Sequence, residues 1–145
     1  AQSAAADANT LDDYEEGTWT PTVTFDTPGD LSVVYSSQQA VYTKIGNIVF
    51  GECDLSTSTF THTTASGAFR LSSLPFAVGT TSAAGALAMA GYTAAGYAVT
   101  QRLTSTLASG DVLASASGAA LFALGTGHVT SGSAINMKCA FAYSV

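Results

Sequence analysis

The residues able to do chemistry in this 145-residue chain are ten carboxylates, two histidines, two cysteines and many serines. Asp12-Asp13 and Glu15-Glu16 are the densest acidic group. Glycoside hydrolysis needs two carboxylates held rigidly across a cleft at roughly 5–10 Å. Neighbouring residues in a small, polar segment do not supply that, and no DxDxDG spacing marks a calcium loop. His62 and His128 each stand alone in polar surroundings, with no Cys or His at zinc-ligand spacing. Both read as surface histidines. No GxSxG elbow singles out a nucleophilic serine. The expectation is no catalytic residue, no metal and no cofactor.

Cys53 and Cys139 both fall on the apolar side of a strand pattern. Two buried free thiols are the first reading, in keeping with a reducing cytoplasm, and a disulfide is the second. The disulfide-dense framework of small secreted domains is absent.

The elements that must position these residues follow from alternation and turn chemistry. Trp19–Phe25 alternates Trp19, Val23 and Phe25 against threonines, with Pro21 placing it near a sheet edge. Thr27–Asp30 is a turn, Leu31–Tyr35 a short strand and Ser36–Gln39 another turn. Ala40–Ile45 and Ile48–Leu55 flank Gly46-Asn47, a hairpin signal. Thr57–Ser66 reads as a polar loop and Ala68–Leu74 as a strand stopped by Pro75. Ala84–Tyr92 and Tyr97–Leu107 form a strand pair, and Ser109–Asp111 is a turn. Val112–Ala116 and Ala119–Leu124 are short strands. Ala134–Val145 alternates strictly over twelve residues, the mark of a half-buried strand.

Turns every eight to twelve residues, without a long helical period, predict an all-β fold: a jelly-roll-like antiparallel β-sandwich. The strands after residue 83 are rich in Ala, Gly and Ser, small enough for sheets or subunits to approach closely, as a threefold axis requires. The net charge of −6 is concentrated at one end: residues 1–16 hold five acids and no cation, which leaves residues 17–145 near neutrality. Four cations in the whole chain build no basic patch, so nucleic acid is not an expected partner. The uncharged segment Ala83–Val99 is too short and too weakly apolar for a membrane helix. The chain does not begin with Met and reads as a piece of something longer, with residues 1–17 a linker from an upstream stalk and residues 18–145 one head domain.

Read together, TLDDYEEGTWTPTVTF, YTKIGNIVF and GAFRLSSLPF resemble, in order and spacing, the C-terminal domains of tailed-phage tail fibres and tailspikes. The match covers roughly the first half of the chain. Ser73-Leu74-Pro75-Phe76 stands where that pattern has Gly-Leu-Pro-Phe. The resemblance implies a homotrimeric β domain at a fibre tip, part of the virion and assembled in the host cytoplasm. Such a domain would register the three chains, bind a bacterial surface glycan, or both, without cleaving anything. Tyr14, Trp19, Tyr42, Lys44 and Phe76 match the pattern and read as packing and subunit-registration residues, with Lys44 facing the acidic cluster of its own or a neighbouring chain. For a glycan, the residues to consider are Tyr92, Tyr97, Arg102, Asp111 and His128, near expected loops of the second half. Two alternatives stand beside this reading: a purely structural trimerisation tip, and a small outer-membrane β-barrel. The barrel is disfavoured because the aromatics cluster early and do not form girdles on every strand.

Overall fold

The computed structural model describes residues 13–93, 97–116 and 118–145. Ten strands follow in order: β1 (Tyr14–Thr18), β2 (Thr22–Thr27), β3 (Ser32–Ile45), β4 (Ile48–Thr61), β5 (Ser66–Ser72), β6 (Ala83–Ala90), β7 (Ala98–Leu103), β8 (Ser109–Ser115), β9 (Phe122–Ala123) and β10 (Asn136–Ser144). Every pairing is antiparallel. The sheet order is β1-β3-β4-β10-β6-β7-β8-β5-β2, with β9 added beside β8. The all-β antiparallel architecture is the one expected. Its two layers are joined: β6 meets β7 over only three residue pairs, and there the sheet curls over itself.

The free edges are stitched by side chains. The Val23 amide donates to the Tyr35 hydroxyl at 2.9 Å, and the Gln38 amide nitrogen donates to the Pro21 carbonyl at 2.8 Å. Between the layers, Phe25 and Phe69 of one half meet Phe60 of the other, with ring centroids 6.0 and 5.9 Å apart. All three rings are essentially inaccessible. Each such burial contributes roughly 2–3 kcal/mol, so this aromatic block is a main tie between the layers.

The β3–β4 hairpin forms where expected, with Gly46 at φ 58° in the first central position of its two-residue turn. Several boundaries differ from the sequence reading. Tyr14–Gly17, assigned to the linker, belong with Thr18 to β1, which pairs along Val41–Ile45 of β3; residues 1–12 of that linker lie outside the described residues. The supposed turn at Ser36–Gln39 is part of one long bent strand. Register shifts around Tyr35 leave Ser36 and Ser58 without direct partners, an opposed pair of bulges. These bulges also explain why Thr57–Ser66 is not a loop. The buried phase of β4 runs Val49, Gly51, Cys53, Leu55, Thr57, slips at Ser58, and resumes at Phe60. Ser109–Asp111 opens β8 and is not a turn, because it pairs with Ser72–Arg70 of β5 and with β7. β7 stops at Leu103, and only Phe122–Ala123 of the expected Ala119–Leu124 strand is paired.

β10 keeps the predicted alternation, with Met137, Cys139, Phe141 and Tyr143 buried. It lies between β4 and β6. Its register sets Cys139 opposite Cys53 with Cα atoms 5.1 Å apart, and the two are disulfide-bonded. The free-thiol reading is therefore corrected. Both cysteines face the same side of adjacent central strands, a juxtaposition that neither strand's pattern reveals alone.

Candidate functional site

The residues of the fibre-like motifs converge on one corner. β1 lies along β3, so Asp13 and Glu15 stand beside Lys44 and Tyr42. Lys44 forms an ion pair with Asp13, and the Tyr42 hydroxyl donates to Glu15 at 2.6 Å. That bond to a carboxylate, with a smaller push from desolvation, raises the Tyr42 pKa. Tyr14 bonds Glu16 at 2.6 Å at the exposed end of the same strand. Asp13, Glu15 and Glu16 are thus each engaged by a side chain of this chain. The Tyr42 ring covers Gly17, where a Cβ would come within 2.9 Å of it, and meets Phe76 edge-on at 5.4 Å. Trp19 is buried, and its amide bonds the Ala40 carbonyl at 3.2 Å.

Phe76 is held in turn by Tyr143. The Tyr143 hydroxyl donates to the Phe76 carbonyl at 2.9 Å and lies 3.3 Å from the Phe76 amide nitrogen, from which it accepts. Burial pushes the Tyr143 phenol up to about 12, while the Phe76 N–H works the other way. A folded-state pKa above the unfolded value near 10 gives stability that is complete below pH 10 and fades as pH rises toward 12. This clasp fastens the start of the domain to its last strand.

The same corner explains the departure at Ser73. Its φ is 64°, in the left-handed region, and its hydroxyl bonds Thr22 Oγ1 at 2.9 Å. A side chain in that region costs roughly 1–2 kcal/mol, so glycine suits the position. Ser73→Gly is expected to raise stability by about 1 kcal/mol, read as a higher urea midpoint at unchanged slope. A lower midpoint would mean that the Thr22 bond outweighs the backbone relief.

The five glycan candidates divide into two groups. Tyr97 and His128 meet around Phe122, which the sequence reading does not single out, and Tyr92 joins them through Tyr97. The Tyr92 hydroxyl donates to the Tyr97 carbonyl at 3.1 Å. Tyr97 meets Phe122 edge-on at 5.3 Å, and Phe122 lies 5.1 Å from the His128 ring. His128 Nδ1 accepts from the Gly125 amide at 3.3 Å, and Thr93 bonds the His128 carbonyl. All four ring residues are half-buried, and this aromatic ridge packs on the hydrophobic core through Tyr92, Tyr97 and Phe122.

Arg102 and Asp111 lie elsewhere, on paired strands and not in loops. Asp111 is buried between two arginines. Arg102 reaches Oδ2 at 2.6 Å, and Arg70 Nε lies 2.8 Å from Oδ1, close as an ion pair though poorly aligned for a hydrogen bond. Arg70 also contacts Asp26 at 2.5 Å. This network ties β2, β5, β8 and β7 together and is structural. His62 is not a surface histidine. It is buried against Phe25 and Phe60, with Nε2–H donating to the Val129 carbonyl at 2.9 Å. The neighbouring turn is capped by Asp30, whose carboxylate accepts from the amides and hydroxyls of Thr63 and Thr64. Those bonds, led by the Thr63 hydroxyl, hold the Asp30 carboxyl well below the usual carboxylate range.

The outer face of β3, β4, β10 and β6 carries a different feature. Val41, Glu52, Ala140 and Ala86 form one row across the four strands, and Thr43, Phe50 and Ala142 form the next. Between the rows runs an open groove floored by the backbone of Tyr42, Gly51, Phe141 and Gly85. Val41 is 52% exposed and Phe50 48%. The alternate residues of β6, including Ala86 and Ala88, are exposed as well.

The fold defined by these strands is similar to that of part of a phage tailspike. A solved structure, the crystal structure of Dettilon tailspike protein (gp208), superposes with a TM-score of 0.67 over 90% of this chain at 16% sequence identity. The superposed region is 24% of the tailspike's length. No protein-family model matches the chain, and no curated protein matches it.

Proposed function

We propose that this chain is the C-terminal head domain of a phage tail fibre or tailspike, a non-enzymatic homotrimer that caps the virion fibre and engages a host-surface glycan. The observation that carries the reading is the fold shared with a tailspike over nine-tenths of the chain. The clasp supports it: the residues resembling the fibre pattern bind one another at the point where the chain enters the head. That arrangement suits coupling a stalk to a head better than it suits a binding site.

In this reading the subunits meet through the alanine-rich outer face of β4, β10 and β6, with Val41 and Phe50 at its border. Small side chains there allow close approach, and large exposed apolar residues on a sheet face mark an association surface. The glycan rests on the Tyr92–Tyr97–Phe122–His128 ridge, since aromatic faces stack on sugar rings. Three copies raise avidity for a repeated receptor whose single-site affinity is weak. A membrane barrel fits less well. The inside of this sheet is packed with aromatic and aliphatic side chains and its outside carries the Lys138–Asp54 ion pair, the reverse of a porin-like barrel.

The test combines molecular mass in solution with inhibition of phage adsorption by the purified domain. A mass of three chains with inhibition supports the reading, and a monomer overturns it. The Tyr97→Ala variant is expected to weaken glycan binding roughly tenfold to a hundredfold, the loss of one stacking partner, at unchanged trimer mass. If the wild-type trimer neither inhibits adsorption nor binds any glycan, the purely structural tip is the better account, as the mutual engagement of the clasp residues also suggests.

A further inference from the structure

The Cys53–Cys139 bond joins residues 86 apart in sequence, yet nothing in the fold depends on it for register. β10 pairs with β4 at nine positions, Asn136↔Ser56 to Ser144↔Ile48, and the cysteines are the fourth. On its other side β10 pairs with β6 at six positions. Phe141 and Met137, the buried neighbours of Cys139 on the same face, anchor the strand in the core. Without the bond, the two sulfurs would still face each other across the ladder.

We propose that this disulfide is a redox lock, closed after folding and open in reducing surroundings. The chain folds as a dithiol. A small disulfide oxidant such as oxidised glutathione then closes the bond: one cysteine thiolate attacks a sulfur of the oxidant and releases one thiolate. The second cysteine thiolate attacks the mixed disulfide and releases the other. The cysteine pair loses two electrons and two protons, and the oxidant becomes two thiols. Each cysteine is only 6% exposed, so exchange proceeds through brief local openings and is slow in both directions. Because the bond closes a long loop in the unfolded chain, its effect on stability is large. The lock itself rests on register and burial alone. Its timing, open in the host cytoplasm and closed on the released particle, rests on the tail-component reading.

The test uses the full 145-residue chain, one sample held in reductant and one equilibrated with oxidised glutathione. Two reactive thiols are expected under denaturing conditions in the first sample and none in the second. Both should give the same far-ultraviolet circular dichroism, with the oxidised form melting roughly 10–20 °C higher. The Cys53→Ala/Cys139→Ala variant should fold, melt near the reduced form and ignore glutathione. A reduced chain without a cooperative melt, while the double variant also fails to fold, would make the bond a folding requirement and overturn the proposal. Equal melting of the two redox forms, or thiols that persist in oxidised glutathione, would overturn it equally. None of these outcomes bears on trimer mass or adsorption.

Discussion

Gly51→Ala is expected to lower stability by about 3 kcal/mol and melting by roughly 10 °C. One row across the sheet alternates glycine with a large residue. Gly17 is opposite Tyr42, Tyr42 opposite Gly51, Gly51 opposite Phe141, Phe141 opposite Gly85, and Gly85 opposite Gln101. Each glycine lies beneath its neighbour's side chain, and a Cβ on Gly51 would collide with the Phe141 ring. Phe141 has little freedom to step aside, since it packs 6.0 Å from Trp19 and 5.7 Å from Tyr143. The row lets large side chains lie across neighbouring glycines over six strands. Gly127→Ala is the control, because no heavy atom lies within 4 Å of its Cβ position and its φ is not positive. It should melt within a degree or two of the parent. Gly51→Ala/Phe141→Leu should recover part of the loss, a coupling that a double-mutant cycle measures. Equal melting of Gly51→Ala and Gly127→Ala would show that the alternation has no energetic role.

The parts of this fold that were legible in the sequence are those where one strand's alternation meets one core. β10 is the clearest case, and the Gly46-Asn47 hairpin is nearly as clear. What failed did so at phase changes. Phe60 and His62 share a face, but the Ser58 bulge puts that face in phase with Leu55 only after one extra residue. A period-two reading carried through from Val49 sends both side chains outward, and the Thr-rich surroundings make that look natural. Arg102 and Asp111 read as lying near loops because Ser109-Gly110-Asp111 has turn composition. Cross-strand pairing with Arg70 overrode that preference, and Asp111 gained two cationic partners in exchange for its solvent. The aromatic ridge is half legible: Tyr92, Tyr97 and His128 stand out in the sequence, while Phe122, which joins Tyr97 to His128, lies in a segment that reads as an apolar strand. Contacts between strands distant in sequence are invisible to any local pattern, and the disulfide is the plainest instance.

The second large effect concerns association. Ala140→Arg is expected to dissociate the proposed trimer while leaving the protomer folded. Ala140 is exposed and centred in the row Val41, Glu52, Ala140, Ala86, so its side chain touches no core residue of its own protomer. In an isolated subunit a long cation there meets water on one side and Glu52 on the next strand on the other. Single-chain stability should therefore change by no more than about 0.5 kcal/mol. Between packed subunits the same guanidinium has no room even with Glu52 beside it, and forcing a long side chain into a close-packed contact costs about 1–3 kcal/mol. Per interface that is roughly a 10- to 100-fold weaker association, and a trimer needs three such interfaces. The expected result is a single-chain mass by light scattering with the parent's β-rich circular dichroism. Glu52→Ala, on the same face, removes a charge and adds no bulk, so it should leave the trimer intact or tighten it. A trimeric Ala140→Arg protein would move the subunit interface away from this face. The clasp at Tyr42, Lys44 and Phe76 would then be the next surface to probe, since Lys44 and Asp13 pair at the N-terminal end of β1.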